Sequence, residues 1–300
     1  MQPVTVTVAI PTLGREEQLI ETIREVLIQT RLPDEILIVD QTPEHSPATV
    51  SFLVAAEKAG TLRWLRQSQA SLTKARNRAL SEASSAVVLF LDDDVRLPSG
   101  FLQAHLRHYE SATIALVGAP IFSPRQIEAG LHESVGRAAP RIISEISAVK
   151  ECVRGCNHSV RLAAAIQNGG YDQQFVGPAY GEEADFALRL YKCGARLLYD
   201  PAAWLVHLTA PMGGCRISGN SSWNEWQKSM NQLLFMFRYA HACPGIRWSH
   251  WKLALRAGPL RRENLFRFWR QPWAWVSFLR AVREAKRRAR KVCSPFGRRS

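Results

Sequence analysis

The six cysteines of this chain (Cys152, Cys156, Cys193, Cys215, Cys243 and Cys293) form no C-x-x-C pair and sit among apolar or mixed neighbours. Such spacing argues against a structural zinc site and against a disulfide framework, so reduced, partly buried thiols are expected. No apolar run reaches the ~18 to 20 residues that a membrane-spanning helix needs. The opening residues Met1-Gln2-Pro3-Val4-Thr5-Val6 lack the basic start and apolar middle of a secretory signal, so a cytoplasmic protein is expected. Acidic residues are scarce at one end only: residues 247–300 carry 16 Lys and Arg against 2 Glu. That tail holds a net charge of +14 of the chain's +13, and residues 1–246 stand at −1. A nearly neutral body and a cationic extension need separate explanations.

What the body does have is regular alternation of strand and helix patterns. Val4 to Ile10, Ile36 to Val39, Leu62 to Leu65 and Ala86 to Leu91 read as strands. Between them, Arg15 to Thr30 repeats apolar residues at helical spacing until Pro33, Pro47 to Ala59 does so until Gly60, and Ser71 and Ser99 are candidate N-caps of helices through Ala83 and Tyr109. The alternation predicts a largely parallel sheet with helices on both faces, whose ligands gather beyond the carboxyl ends of the strands. Residues 119–155 lose the period and read as loops and short irregular strands. Regularity returns as a helix over Glu183 to Cys193, strands over Leu197 to Tyr199 and Trp204 to His207, and a long helix over Trp223 to Ala240.

At the rim of that expected sheet, Leu89-Phe90-Leu91 runs straight into Asp92-Asp93-Asp94. Three adjacent carboxylates repel one another, so a cation or a cationic group is expected to compensate them, unless the run is only a solvated acidic turn. Hard oxygen ligands at a strand end suit Mg²⁺ or Mn²⁺, and those ions suit a bound diphosphate.

Ala9-Ile10-Pro11-Thr12 with Arg15, Ile38-Val39-Asp40, Ala75-Arg76-Asn77, Leu91-Asp92-Asp93-Asp94 and Gly181-Glu182-Glu183-Ala184-Asp185 follow one another in an order that resembles glycosyltransferase family 2. The likeness spans roughly residues 4 to 240. It implies the GT-A fold, with residues 1–118 as the nucleotide-sugar-binding α/β half, residues 119–246 as the acceptor and catalytic-base half, and residues 247–300 as a C-terminal helical extension. It also implies an inverting transfer of a sugar from a nucleoside-diphosphate-sugar to an acceptor hydroxyl. By the same resemblance Pro11, Thr12, Arg15, Asp40, Arg76, Asp92 and Asp93 would meet the donor, with Asp93 the least certain, and Asp94, Asp92 and His207 would hold Mg²⁺ or Mn²⁺. Glu183 aligns with the base position, where the family usually has aspartate, and Asp185 is the other candidate, or an i, i+4 ion-pair partner of Arg189. Asn157, Gly169, Gly170, Asp172 and Glu182 would face the acceptor, although Asp172 also suits a turn. Trp204, Trp223 and Trp226 suit either sugar stacking or core packing.

Five of the nine tryptophans (Trp248, Trp251, Trp269, Trp273, Trp275) fall in the basic tail. Aromatic and basic residues together suit an anionic membrane surface, which would deliver a peripheral enzyme to a glycan or lipid-linked acceptor in cell-surface polysaccharide or glycolipid synthesis. Lys286-Arg287-Arg288 and Arg290-Lys291 would also bind phosphates of nucleic acid, the less favoured partner, and a solvating end from about 284 is the plain alternative. A nucleotidyltransferase, or a non-catalytic sugar-nucleotide or nucleic-acid binding module, are the rival functions. The first would call for a glycine-rich basic loop after the first strand, which Pro11-Thr12-Leu13-Gly14-Arg15 matches poorly.

Overall fold

A computed structural model describes residues 3–210, 212–214, 221–240, 244–260, 266 and 271–291; the side chains of 221–225, 244–248, 257 and 271 lie outside that description. Among the described residues there are eleven strands: β1 (Val6–Thr12), β2 (Glu35–Asp40), β3 (Arg63–Arg66), β4 (Val87–Leu91), β5 (Val95–Arg96), β6 (Ile114–Gly118), β7 (Ile121–Phe122), β8 (Arg141–Ile142), β9 (Asn157–Arg161), β10 (Arg196–Tyr199) and β11 (Leu205–His207). Eight of them form one sheet in the order β3-β2-β1-β4-β9-β6-β10-β8. β1 runs parallel to β2 and β4, β9 runs against β4 and β6, and β8 runs against β10. The other three make a small sheet in the order β5-β11-β7. This is the expected α/β architecture, a mostly parallel sheet covered on both faces.

The covering follows from side-chain alternation. Val87, Leu89 and Leu91 of β4 point into one apolar cluster and Val88 and Phe90 into the other, all 1% exposed or less. A strand buried on both faces needs apolar residues at successive positions, which is why its sequence is a continuous run. Helix α1 (Glu17–Leu27) presents Leu19, Ile23 and Val26 to the first cluster, and α3 (Leu72–Glu82) presents Ala75 and Ala79 to the second. Between these two, α2 (Pro47–Lys58) starts at Pro47 behind Ser46, whose hydroxyl accepts the Thr49 amide at 3.3 Å. Ser71 caps α3 through the Lys74 amide at 3.4 Å.

The expected cap at Ser99 is corrected: α4 (Phe101–Leu106) is preceded by Gly100, and the Ser99 carbonyl instead accepts the Thr30 amide and hydroxyl, each at 3.0 Å. Residues 119–155 hold three helices besides the short strands, namely α5 (Pro124–Glu128), α6 (Leu131–Gly136) and α7 (Ile146–Cys152). After α8 (Leu162–Gln167), α9 (Glu182–Lys192) ends where Gly194 adopts φ +82°.

Helices α10 (Ser221–Tyr239), α11 (Pro244–Ala257) and α12 (Gln271–Arg288) complete the chain's described elements. Met230, Leu233, Leu234 and Phe235 of α10 share one buried cluster with Ala254 of α11 and with Phe278, Ala281 and Ala285 of α12. The solvating end from about 284 is corrected as far as residue 291, the rest lying outside the described residues: Ala285 is fully buried, and Glu284 pairs with Arg287 and Arg288 at 2.6 Å each. Gln174 donates to the Lys291 carbonyl at 2.6 Å and Arg288 to the Gln174 carbonyl at 2.9 Å, fastening the end of α12 to the body. Cys215, Cys243, Cys293 and Trp269, and the side chains of Trp223 and Trp248, lie outside the described residues.

Candidate active site

Parallel strands deliver their ends to one rim. Thr12 and Asp40 are register partners at the ends of β1 and β2, and Asp92 follows the last residue of neighbouring β4. The Thr12 hydroxyl donates to Asp93 at 2.7 Å. Arg15 donates from Nε to Asp93 at 3.1 Å and from Nη2 to Asp94 at 3.2 Å, and a third nitrogen reaches the Met212 carbonyl. The guanidinium, 4% exposed, is the internal cation that makes this acidic run compatible with folding.

Each aspartate of the run has a different environment. Burial pushes Asp93 up to about 7 in spite of Thr12 and Arg15. Burial also acts to raise Asp94, but the hydrogen bond and charge of His207, the Ala210 amide at 2.8 Å and Arg15 hold it below the ordinary carboxylate value. Asp92 is the accessible member, its side chain 35% exposed. The register His207↔Val95 between β11 and β5 brings His207 alongside, 3.1 Å from Asp94 Oδ1 and 3.5 Å from Asp92 Oδ2. Hydrogen bonds to Asp92 and Asp94 raise His207 to about 10, a measure of the negative field there.

These separations suit a divalent ion. Neighbouring ligands of an octahedral ion bonded at ~2.1 Å stand ~3 Å apart, and His207 Nε2 lies at about that spacing from Asp94 Oδ1 (3.1 Å) and from Asp92 Oδ2 (3.5 Å).

On the other side of Asp92 lies Arg76, buried, with Nη2 donating to the Gly155 carbonyl at 2.8 Å and standing 4.0 Å from Asp92. Its Nη1 pairs with Glu182 at the start of α9. A Cβ on Gly155 would lie 2.9 Å from Arg76 Nη2, so a larger residue there would push the guanidinium from its place. Glu183 is next in the chain. Burial raises its carboxyl above the ordinary glutamate value, outweighing Arg76 and Arg154.

Asp185, two residues further, is fully buried and accepts Arg189 Nε at 2.9 Å, Arg238 Nη1 at 2.8 Å and the Tyr239 hydroxyl at 2.8 Å. Burial raises it, yet Arg189 and Arg238 together hold it low.

Other candidate residues are engaged inside the protein. Asp40 accepts the Thr42 amide at 2.8 Å and the Trp64 indole at 2.8 Å, with His45 Nε2 at 2.9 Å. Asn157 donates to the carbonyls of Pro120 and Ala203 at 2.7 and 3.0 Å and meets His105 at 3.0 Å. Asp172 pairs with Arg238 at 2.5 Å and accepts the Gln174 amide at 3.0 Å, the turn role foreseen for it. Gly169 and Gly170 adopt φ of +83° and +65°, and Arg189 clamps the turn through the carbonyls of Asn168 and Gly170. Pro11, buried, sits one residue inside the rim on β1. Trp204 packs against Phe122 and His132, with ring centroids at 5.8 and 5.0 Å, and Trp226 packs on the main core.

Two participants escaped the sequence reading. Cys156 lies among Asp92 and His207, although the sequence suggested no role for it beyond a reduced thiol. Lys150, on the unforeseen helix α7, donates to His250 Nε2 of α11 at 2.6 Å and carries its charge toward Glu183. No local pattern links residues so far apart.

Residues 7–148 match the family model described as Glycosyl transferase family 2. The chain carries a family 2 glycosyltransferase domain. The Pre-mycofactocin glycosyltransferase of Mycobacterium tuberculosis is 34% identical over 143 residues, 44% of this chain and 29% of that protein. The chain thus spans less than a third of that relative's length. The Succinoglycan biosynthesis protein ExoM of Rhizobium meliloti is 23% identical over 209 residues, 66% of this chain and 64% of that protein. Among solved structures, the mannosyltransferase PcManGT from Pyrobaculum calidifontis, in complex with GDP-Man and Mn²⁺, matches with TM-score 0.58 at 18% identity over 96% of this chain and 76% of its own. S. aureus TarS 1–349, in complex with UDP-GlcNAc, matches with TM-score 0.59 at 14% identity, covering 95% and 91%. The fold of this family 2 domain is that of the GT-A glycosyltransferases.

Proposed function

We propose that the protein is a metal-dependent, inverting glycosyltransferase that moves a sugar from a nucleoside-diphosphate-sugar to an acceptor hydroxyl. The observation that carries this reading is the division of the cleft's carboxylates into two electrostatic kinds. Asp94 is kept below the ordinary carboxylate value with Arg15 and the Ala210 amide on its Oδ2, which suits a metal ligand once His207 gives up its proton, and Glu183 is raised by burial, as suits a general base. The donors named for the two solved neighbours, GDP-Man and UDP-GlcNAc, and the Mn²⁺ of one of them support the same assignment.

Asp94, Asp92 and His207, the last in its neutral form, would hold Mg²⁺ or Mn²⁺, which would supply charge neutralisation for the departing diphosphate. Arg76 keeps a fixed positive charge beside Asp92, and Arg15 keeps Asp93 and Asp94 aligned. Thr12 and Pro11 lie at the nucleoside end, where Asp40, held by Trp64 and His45, shapes the end of β2 from inside. Glu183 takes the proton of the acceptor hydroxyl; that oxygen bonds the anomeric carbon as the bond to the diphosphate breaks on the opposite face, which inverts the centre. Asp185 acts through the ion pairs that fix α9.

The acceptor in this reading is a glycan or lipid-linked sugar of a cell-surface polysaccharide or glycolipid, reached from the cytoplasmic face of a membrane through residues 247–300. The likeness to ExoM, a succinoglycan biosynthesis protein, supports a polysaccharide setting. Exposed Trp273, Trp275, Val276 and Leu279 on α12, next to Arg280 and Arg283, support peripheral docking, and among the described residues no helix is long and apolar enough to cross a membrane.

Incubation with nucleoside-diphosphate-sugars and Mn²⁺, after a thermal-shift screen for the donor that binds, tests the reaction class. Release of nucleoside diphosphate is the expected result. Release of pyrophosphate would instead make the protein a nucleotidyltransferase, and binding without turnover would make it a binding module.

A further inference from the structure

We propose that Cys156 adds a thiolate ligand to the cleft, so that Zn²⁺ and other thiophilic divalent ions are captured by Asp92, Cys156 and His207. The proposal rests on the reading of Asp92, Asp94 and His207 as a metal site and deepens it by naming which metals the site selects.

Three strands bring the donors together. β4 and β9 are antiparallel with Leu91 opposite Asn157, so the next residues outward, Asp92 and Cys156, face each other. The register of β11 on β5 supplies His207. One ligand atom from each of Asp92, Cys156 and His207 lies within 4.8 Å of the other two. Tetrahedral zinc, with bonds of ~2.3 Å to sulfur and ~2.0–2.2 Å to nitrogen and oxygen, sets its ligands ~3.3–3.8 Å apart, so a contraction of about 1 Å at most closes the site. Asp92 and His207 are only partly buried, and rotation of their side chains covers that distance.

Cys156 itself is 7% exposed and held on both sides. After it, Asn157 is locked by the Pro120 and Ala203 carbonyls and by His105. Before it, the Gly155 carbonyl accepts Arg76. The backbone that carries the sulfur is therefore fixed, and its ordering entropy is spent on folding rather than on metal binding.

On binding, the thiol releases its proton to solvent as the sulfur–metal bond forms, and no oxidant or reductant is involved. Thiolate and imidazole favour Zn²⁺ and Co²⁺, whereas carboxylate and water serve Mg²⁺ and Mn²⁺. Cys156 is thereby the residue that makes thiophilic ions compete with the ion used for transfer.

Titration of the full-length protein with Co²⁺, read by the near-ultraviolet sulfur-to-cobalt charge-transfer band, tests this, with Mn²⁺ binding followed in parallel by electron paramagnetic resonance. We expect the band in the wild type and in the Cys193→Ser control and its loss in Cys156→Ser. Zn²⁺ affinity should fall at least about tenfold in Cys156→Ser while Mn²⁺ affinity changes less than about threefold. Should Cys156→Ser fail to fold, loss of the wild-type band in His207→Gln carries the same test. Co²⁺ binding without the band, or a band that survives both substitutions, overturns the thiolate but leaves the metal site standing. If neither Mn²⁺ nor Co²⁺ binds the wild type, the metal site and this proposal fall together.

Discussion

Arg76 and Glu182 form an ion pair in the interior, each side chain 2% exposed, and the pair ties the helix after β3 to the first turn of α9. Removing one member leaves the other charged and buried. Glu182→Ala should therefore cost about 3–5 kcal/mol, measured by urea unfolding, whereas Arg76→Met combined with Glu182→Leu should cost less than either single change. Equal or additive losses would mean that the two residues do not interact.

The neighbouring Glu183 serves as base only when ionised. Because burial raises its carboxyl above the ordinary 4.5, the rate should rise with pH through a value above 4.5 and be lost as pH falls through it. Glu183→Gln should lower kcat by about 10²–10⁴ while leaving donor affinity, read by calorimetry, unchanged. A variant that loses donor binding in proportion to rate would give Glu183 a structural role instead.

How much of this was legible in the sequence depends on which force set each feature. Strands β1, β2 and β4 and the helices between them follow local periodicity, and the aspartates after Leu91 follow from where a strand ends. β9 did not read as a strand, because Asn157, His158 and Ser159 are polar and yet fully buried. They are satisfied by Pro120, Ala203, His105, Tyr109 and Tyr171, partners that only the tertiary fold supplies. The candidate set divides the same way. Asp92, Asp94, Arg76 and Glu183 gather at one cleft, while Asp40, Asn157, Asp172 and Asp185 turn to internal hydrogen bonds and charges that no motif records.

That buried polar strand has a consequence at low pH. His105 places Nε2 3.0 Å from Asn157 Oδ1 and Nδ1 3.0 Å from the Ser159 hydroxyl, and burial depresses it from 6.5 to about 4, so it is neutral in the fold near neutral pH. The unfolded chain takes up the proton at a higher pH than the fold does. Stability should therefore fall as pH drops from 6.5 toward 4, by about 3 kcal/mol from this residue, an order-of-magnitude value. His105→Gln should flatten that part of the curve in urea titrations at several pH values; an unchanged slope would place the acid sensitivity elsewhere, with His158 the next residue to test.

The last helix separates two functions that a truncation would confuse. Its inner face, Phe278, Ala281 and Ala285, packs against the body, so deleting residues from 247 onward would uncover α10 and confound membrane loss with misfolding. Its outer face carries Trp273 at 75% exposure, Trp275 at 43% and Leu279 at 53%, followed by Arg280 and Arg283. Serine at the three apolar positions should abolish sedimentation with phosphatidylglycerol vesicles and leave the unfolding midpoint nearly unchanged. Glutamine at Arg280 and Arg283 should weaken it by about 2 kcal/mol, roughly 30-fold, an effect that added salt erases. Equal binding to phosphatidylcholine vesicles would remove the electrostatic part of the membrane proposal, and tighter binding to single-stranded nucleic acid than to either vesicle would replace the membrane with a phosphate backbone.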